Sequence, residues 1–318
     1  MSPSRVLVEV PPYPIDLVRE LLAPLGSRVE AVASPSGGED VAGLLVWNPV
    51  TAADMDRMPG LRVIATCSVG YDHIDVATAQ ARGIWVCNVP DYCIDEMADS
   101  TLALALALLR GVVALDRSVR DGAWDDHAAG VLAPVVGTRI GVVGFGRIGQ
   151  AVARRARALG MEVWAADPLV DAQTIAAAGV TPATLDDLLA TCTVVSLHVP
   201  LTPNTTQLIG ARELASMPRG AYLINTARAG LVDQVAMLAA LGSGALGGAA
   251  LDVLALEPPT AEHPAPQHPR LIVTPHSAWY SARSEREVYR RAALSVRAVL
   301  EGSEPDGVVV RPALRGTS

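Results

Sequence analysis

A run of glycines directly after an apolar stretch constrains the fold of this chain more than any other feature. In "GVVGFGRIGQAVARRARALGMEVWAAD" (141–167), the pattern G-x-G-x-x-G stands between a strand-like and a helix-like segment, and a second strand-like segment ends in Asp167. This order is typical of the nucleotide-binding half of a doubly wound α/β sheet. Glycines that form only an ordinary turn are the alternative, but such a turn does not require the flanking segments or the terminal acid.

Each position of the glycine pattern has a physical reason in dinucleotide binding. Gly144 forms the tight turn, Gly146 lets a pyrophosphate approach the backbone, and Gly149 lets the helix pack on the strand. The amides of Arg147 and Ile148, at the start of the helix, are expected to meet the negative charge of the phosphates. The side chain of Arg147 either lies near the pyrophosphate or is a solvated residue at the start of the helix.

The acid that ends the second strand selects between two cofactors. The carboxylate of Asp167 is expected to accept hydrogen bonds from the hydroxyls of the adenosine ribose, and its charge repels a 2′-phosphate. The predicted cofactor is therefore NAD rather than NADP.

Two sets of apolar segments alternate with helix-like segments, which predicts two parallel sheets flanked by helices. The segments of the first set are "RVLVEV" (5–10), "AGLLVW" (42–47), "LRVIATC" (61–67) and "IWVCNV" (84–89), and those of the second are "RIGVVGFG" (139–146), "MEVWAAD" (161–167), "TVVSLHV" (193–199), "AYLINTA" (221–227), "GAALDV" (248–253) and "LIVTP" (271–275). A single long apolar helix is predicted over 96–120, and an amphipathic helix over "SEREVYRRAALSVRAVLEG".

The predicted fold class is α/β, with two doubly wound parallel-sheet domains. A Rossmann NAD domain, residues 96–283, is inserted in a flavodoxin-like substrate domain formed by residues 1–95 and 284–318. A length of 318 residues, half of them hydrophobic, agrees with two domains rather than one core.

Composition excludes several classes of function. A net charge of −8 without a basic stripe argues against nucleic-acid binding. The four scattered cysteines form no CxxC pair, so neither a metal site nor a disulfide framework is predicted. The start of the chain lacks the pattern of a signal peptide, and the most apolar segment is shorter than the ~20 residues that span a bilayer. These features predict a cytoplasmic protein without a membrane partner.

Three polar residues follow the ends of strands in the second set. Arg228 follows "AYLINTA", Glu257 follows the strand that ends near Asp252, and His276 follows "LIVTP". Alone, Arg228 could be a surface cation, Glu257 a solvated loop acid and His276 a structural histidine. Because ligands of open α/β sheets bind at the carboxyl ends of the strands, the three are expected to converge there.

Together these side chains suit the reduction of a 2-oxo acid. The planar guanidinium of Arg228 can clamp a carboxylate and a neighbouring carbonyl oxygen. An imidazolium at His276 can protonate the carbonyl oxygen, and the neutral ring can accept the proton in the reverse direction. The carboxylate of Glu257 would favour the protonated ring and fix its tautomer.

With this combination of motifs, the chain resembles the D-isomer-specific 2-hydroxyacid dehydrogenases. The matching stretches run through nearly the whole chain in the order of that family: "CSVGYDHIDV", "CNVP", "ADSTLAL", "GVVGFGRIGQAVA", "LHVPLTPNT", "INTARAGLVD", "GAALDVLALEP" and "TPHSAW". The resemblance implies a catalytic triad of Arg228, Glu257 and His276, and a homodimer built through the long helix. The cofactor contacts that it implies are Arg147, Ile148, Asp167, His198, Thr205, Ala227 and Asp252.

The resemblance also implies how the substrate is held. Backbone amides around Val69 and Gly70 would bind its carboxylate, and Trp279 would line its pocket. The ending "HSAWYS" is similar to the branch of the family that contains the C-terminal-binding-protein-type dehydrogenases. Ala229 departs from the family pattern, which usually has glycine there.

Three functions are therefore open at this stage. The first is an NAD-dependent dehydrogenase of D-2-hydroxy acids, acting as a 2-oxo-acid reductase. The second is an NAD-sensing scaffold that docks partner peptides, as corepressors of that branch do. The third is a biosynthetic reductase of an unusual oxo acid, such as a phosphonate analogue. The intact set of Arg228, Glu257 and His276 favours an enzyme.

Overall fold

The computed structural model describes residues 4–9, 14–35 and 37–312. The chain divides into two compact units, residues 1–92 with 281–318, and residues 93–280. The predicted joins, after residue 95 and before residue 284, each lie three residues further along the chain than these divisions. Both units are α/β with doubly wound sheets, so the predicted fold class is confirmed.

The first unit contains a six-stranded sheet in the order β13-β5-β4-β3-β1-β2. Its strands are β1 (Arg5–Glu9), β2 (Arg28–Val32), β3 (Val41–Val46), β4 (Val63–Thr66), β5 (Trp85–Cys87) and β13 (Val308–Val310). The predicted first strand also included Val10, which lies outside the described residues. β13 is antiparallel to β5, whereas the other pairs are parallel. The sequence predicts a parallel sheet, and the structure differs at one edge, where the short strand β13 runs antiparallel to β5.

The helices of the first unit flank this sheet. They are α1 (Ile15–Leu22), α2 (Ala52–Asp56), α3 (Val76–Ala81) and α12 (Ala282–Glu301). The side chain of Ser281 caps the start of α12, and Gly302 ends it in the left-handed conformation, which glycine adopts without strain. α12 buries Val288 and Val296 and contacts β3 and β4, as the amphipathic pattern predicts.

The second unit contains a seven-stranded, wholly parallel sheet in the order β12-β11-β10-β9-β6-β7-β8. Its strands are β6 (Arg139–Val143), β7 (Glu162–Ala166), β8 (Thr181–Pro182), β9 (Val194–Leu197), β10 (Ala221–Asn225), β11 (Leu246–Leu251) and β12 (Leu271–Val273). Its helices are α4 (Ile94–Leu109), α5 (Val112–Arg120), α6 (Arg147–Ala158), α7 (Ala172–Ala177), α8 (Leu185–Thr191), α9 (Ala211–Ser216), α10 (Gln234–Ser243) and α11 (Pro264–Gln267).

Two apolar clusters cover the two faces of this sheet. Within β6, Ile140 and Val142 belong to the cluster that includes α4 and α6, while Val143 belongs to the other cluster. Residues 140–143 are all buried, as expected for an interior strand of a parallel sheet. Burial of the sheet leaves its carboxyl edge as the place where loops can carry polar side chains.

The single helix predicted over 96–120 is wrong, because the segment forms two helices. α4 and α5 meet at a bend of 62° around Gly111, which has a φ of +61°. Such a left-handed residue cannot continue a right-handed helix, and glycine adopts this conformation because it has no Cβ. Among the described residues, no single helix is long and apolar enough to cross a membrane, and α4 and α5 pass that test only as a bent pair.

Candidate active site

The glycine loop of the second unit has the geometry that a dinucleotide needs. Gly144 has a φ of +96°, and a Cβ there would lie 2.7 Å from the carbonyl oxygen of His198. A Cβ on Gly149 would lie 2.1 Å from the carbonyl oxygen of Gly144, so only glycine lets α6 approach β6 this closely. A Cβ on Gly146 would meet nothing within 4 Å. The two outer glycines are therefore required by packing, and the middle one faces open space.

That open space lies at the start of α6. Gly146 caps the helix and Arg147 is its first residue, with an exposed side chain. The first amides of a helix lack partners within the helix and carry partial positive charge. The amides of Arg147 and Ile148 are thus suited to a negatively charged group, and their contact with a pyrophosphate stays a prediction.

Asp167 lies beside the glycine loop, directly after β7. Its Oδ2 accepts a hydrogen bond of 2.7 Å from the amide of Phe145, and its Oδ1 accepts one of 2.9 Å from the amide of Leu169. The carboxylate therefore fixes the loop in addition to any contact with a ribose. Its contact with the ribose stays a prediction.

Two further predicted cofactor residues follow β9. The amide of His198 donates to the carbonyl oxygen of Val143 at 2.7 Å, and its Nε2 lies 2.9 Å from Ser196 Oγ. Burial of the ring lowers the pKa of His198 to about 4, so the ring is neutral at pH 7. Thr205 Oγ1 donates to the carbonyl oxygen of Pro200 at 2.7 Å and closes the turn after the strand. Both residues support loops next to the end of β6.

Arg228 follows β10 in extended conformation and begins a 3₁₀ turn over Ala229–Leu231. Asn225 clamps this loop, since its Oδ1 accepts from the amide of Ala227 at 3.0 Å and its Nδ2 donates to the carbonyl oxygen of Arg228 at 2.7 Å. The guanidinium donates from Nη1 to the carbonyl oxygen of Ala227 at 2.9 Å. The sequence analysis did not predict a role for Asn225, although a polar residue at the end of an apolar strand indicates a position at the carboxyl edge of the sheet. Ala229 is accommodated as the first residue of the turn.

Glu257 and His276 form a hydrogen-bonded pair. Glu257 Oε2 lies 2.7 Å from His276 Nδ1, and Glu257 Oε1 accepts from the amide of Leu254 at 2.7 Å. Because an ionised carboxylate can only accept, Nδ1 carries the hydrogen. Nε2 of His276 makes no hydrogen bond with any described residue, and the side chain is 47% exposed. This ring can therefore exchange a proton through Nε2.

The backbone of His276 is held in an unusual conformation. Its φ of +53° lies in the left-handed region, which a non-glycine residue adopts at some cost in free energy. Its amide donates to the carbonyl oxygens of Asp252 and Thr274, and its own carbonyl oxygen accepts from Trp279 Nε1 at 2.9 Å. These bonds fix the direction of the imidazole.

The buried carboxylate of Asp252 organises the same turn. It accepts from the amides of Ser277 and Ala278, both at 2.9 Å, and from the hydroxyl of Thr274. Asp252 was predicted as a cofactor contact, and the structure gives its carboxylate to the turn that carries His276. The hydroxyl of Thr274 was not predicted to take part in the site.

The order of the strands brings these loops to one edge of the sheet. β10, β11 and β12 are neighbours, and their carboxyl ends lead to Arg228, Asp252 and His276. A cavity of about 510 Å³ adjoins the pair of Glu257 and His276. Val69 and Gly70 belong to the loop that follows β4 in the first unit, and their role as substrate ligands stays a prediction.

Comparison with known proteins identifies the family. Residues 102–278 match the NAD-binding domain of the D-isomer-specific 2-hydroxyacid dehydrogenases. The chain is 38% identical over 273 residues to the glycerate dehydrogenase of Methylorubrum extorquens, with 82% of each chain covered. This chain belongs to the D-isomer-specific 2-hydroxyacid dehydrogenase family. The predicted membership is thus confirmed.

Two further relatives agree with this membership. The glyoxylate reductase of Korarchaeum cryptofilum is 38% identical over 268 residues, which cover 83% of this chain and 81% of that one. The D-lactate dehydrogenase of Aquifex aeolicus, solved with NAD and lactic acid, is 28% identical with a TM-score of 0.87, over 97% of this chain and all of that one. As a member of the family, the chain is an oxidoreductase with a nicotinamide dinucleotide cofactor.

Proposed function

We propose that this dehydrogenase reduces a small 2-oxo acid to the D-2-hydroxy acid, with His276 as the proton donor. The observation that carries the proposal is the hydrogen bond of 2.7 Å between Glu257 and Nδ1 of His276, which leaves Nε2 for a substrate oxygen. The bound cofactor supplies the hydride. Nε2 of the imidazolium gives a proton to the carbonyl oxygen, and in oxidation the neutral ring takes it back.

Glu257 orients the ring and fixes its tautomer, because its carboxylate accepts the hydrogen on Nδ1. Arg228 anchors the substrate by presenting its planar guanidinium to the carboxylate and the carbonyl oxygen. In the first unit, the amides of Val69 and Gly70 bind the carboxylate, and Trp279 limits the size of the substrate side chain. The Trp279 indole is suited to that role because its Nε1 is fixed on the carbonyl oxygen of His276.

The names of two relatives, a glycerate dehydrogenase and a glyoxylate reductase, support a substrate with a short side chain. Hydroxypyruvate, the 2-oxo acid that corresponds to glycerate, and glyoxylate are therefore the first candidates. The position of Asp167 beside the glycine loop supports NADH over NADPH, since a 2′-phosphate would meet its carboxylate.

We also infer that the chain forms a homodimer in the cytoplasm. α4 packs against α6, and Arg155 of α6 pairs with Asp95 and Asp99 at 2.6 and 2.7 Å, so α4 is largely covered within its own unit. Exposed apolar side chains lie instead on α5 and on the segment after it: Val112, Val119, Trp124, Val131 and Val136. These exposed apolar side chains favour association with a second copy, so the pairing surface is assigned to residues 112–136 rather than to the whole of the predicted helix.

The proposed function is tested by following NADH oxidation at 340 nm with glyoxylate, hydroxypyruvate, pyruvate and bulkier 2-oxo acids. We expect turnover of at least one short oxo acid, and a higher kcat/KM with NADH than with NADPH. In Asp167→Ala, the ratio of kcat/KM with NADH to kcat/KM with NADPH should be smaller than in the wild type. Binding of NADH without turnover of any oxo acid would contradict the proposal and favour the scaffold of the corepressor-like branch.

A further inference from the structure

The loop that follows β4 has every carbonyl oxygen from residue 68 to residue 70 occupied. The carbonyl oxygen of Ser68 accepts from the amide of Val89 at 3.0 Å, and that of Val69 accepts from Asn88 Nδ2 at 2.6 Å. The carbonyl oxygen of Gly70 accepts from the hydroxyl of Ser68 at 2.5 Å. Donors from the loop itself and from the end of β5 thus hold three successive peptide groups by their oxygens.

The amides of the same loop are not used in this way. Within the described part of the chain, the amides of Val69, Gly70 and Tyr71 donate no hydrogen bond. These residues are partly or largely exposed. Successive backbone amides without partners form a concave site for an anion, because each contributes a partial positive charge. The loop therefore leaves its amide donors available for a ligand, while its carbonyl oxygens are bonded within the protein.

A chain of three hydrogen bonds ends on this loop, and only one assignment of donors and acceptors fits it. Ser68 donates its only hydroxyl hydrogen to the carbonyl oxygen of Gly70, so it must accept in its bond of 2.7 Å with Thr66 Oγ1. Thr66 has then used its own hydrogen and must accept in its bond of 3.0 Å with His73 Nε2. His73 therefore carries a hydrogen on Nε2.

We propose that Thr66, Ser68 and His73 are positioning residues, which hold the carbonyl oxygen of Gly70 inward so that the amide of Tyr71, in the same peptide group, faces a substrate carboxylate. The amides of Val69 and Gly70 stand beside it, because Val89 and Asn88 hold the carbonyl oxygens of those two peptide groups. This inference rests on the proposed function, because it names what orients the anion site of that reaction. Thr66 is fully buried and His73 is partly buried, so the relay runs beneath the loop. None of the three side chains needs to touch the reacting atoms.

The relay predicts an effect on substrate affinity rather than on the chemical step. Thr66→Val removes the hydroxyl with little change of volume, Ser68→Ala removes the bond to Gly70, and His73→Leu removes the first donor. We expect each to raise the KM for the best oxo acid and the Kd of oxamate, a non-reducible analogue with the same carboxylate, about tenfold, which is the scale of one hydrogen bond. The kcat should stay within about threefold of wild type.

Two further variants separate positioning from general stability. His73→Gln keeps an N–H donor near the place of Nε2 and should restore the wild-type KM. Thr78→Val serves as the matched control, because Thr78 in the same unit donates to Asp75 and lies outside the relay. Melting temperatures are measured for all five variants, and the Kd of NADH, from fluorescence titration, should be unchanged.

Several outcomes would overturn the inference. If the wild type reduces oxo acids but the three relay variants keep a wild-type KM, the relay does not position the loop. The same conclusion follows if His73→Gln is as defective as His73→Leu, or if Thr78→Val raises the KM equally. If the wild type neither reduces an oxo acid nor binds oxamate, the proposed function itself fails, and the relay loses its role with it.

Discussion

At the scale of single residues, the charge on Glu257 is the part of the site that can be removed most cleanly. Glu257→Gln keeps the size of the side chain and an oxygen that can accept from Nδ1 of His276, but it removes the negative charge at 2.7 Å. A hydrogen bond to a charged partner is stronger than one to a neutral partner, so the ring of His276 is held less firmly in the variant. We expect kcat for reduction to fall about tenfold, while the melting temperature changes little.

Glu262→Gln is the control for this change, because Glu262 is an exposed acid in the same loop. Its kcat should equal that of the wild type. A Glu257→Gln protein with a wild-type kcat would show that the carboxylate does not act through the ring of His276.

His198 predicts how the stability of the protein depends on pH. Burial lowers its pKa from an ordinary 6.5 to about 4, so the unfolded chain binds this proton more readily than the folded chain. The part of the free energy of unfolding that depends on His198 is fully present above pH 6.5. It is lost as the pH falls towards 4, by up to about 3 kcal/mol. In His198→Gln, the free energy of unfolding in urea should fall less between pH 7 and pH 4.5. An equal fall in the free energy of unfolding of both proteins would show that His198 does not cause the loss of stability at low pH.

At the scale of an element, the junction of β6 and α6 makes opposite predictions for two glycines. Gly146→Ala adds a Cβ in open space at a φ of −72°, so the protein should fold with a wild-type melting temperature but bind NADH more weakly. Gly149→Ala places a Cβ 2.1 Å from the backbone oxygen of Gly144 and must push α6 from the sheet. It should lower both the melting temperature and the affinity for NADH.

Calorimetry and fluorescence titration of the two variants measure this difference. If Gly146→Ala bound NADH as tightly as the wild type, the pyrophosphate would not approach the backbone at this position. If Gly149→Ala melted as the wild type does, the close packing of α6 on β6 would not matter for stability.

Most of the strands could be predicted from the sequence, because buried parallel strands are short apolar runs bounded by glycine, proline or polar residues. The break at Gly111 was not predicted, since apolar residues continue on both sides of it and a lone glycine is tolerated within many helices. The strands β2, β8 and β13 were also missed. β2 is only partly buried and β8 has two residues, so neither is a continuous buried apolar run. The pairing of β13 with β5 depends on tertiary contact rather than on a pattern of its own.

Within the site, the polar ends of strands could be predicted but their partners could not. Glu257 and His276 were expected to interact, and they do. The family resemblance implied that Asp252 contacts the cofactor, and that contact stays a prediction; its bonds to the neighbouring turn were not predicted. Its partners, Thr274 and the amides of Ser277 and Ala278, follow the neighbouring strand and meet it only in the folded sheet.

At the scale of the whole molecule, the exposed apolar side chains provide a test of the proposed homodimer. Trp124 is 93% exposed and lies after α5, which itself exposes Val112 and Val119. We expect sedimentation to give about twice the 33.1 kDa of one chain. Trp124→Glu should shift the equilibrium towards the monomer, whereas Leu169→Glu, at an equally exposed residue outside residues 112–136, should not. A monomeric wild type would contradict the homodimer.

The most direct test of the account is the role of His276 in a single-turnover measurement of oxo-acid reduction by bound NADH. His276→Ala should reduce the best oxo acid about 10²- to 10⁴-fold more slowly than the wild type, the usual scale for general acid–base catalysis. Its Kd for NADH should be unchanged, and the control His268→Ala should react at the wild-type rate. A His276→Ala protein that reduces the oxo acid at the wild-type rate would contradict the central claim.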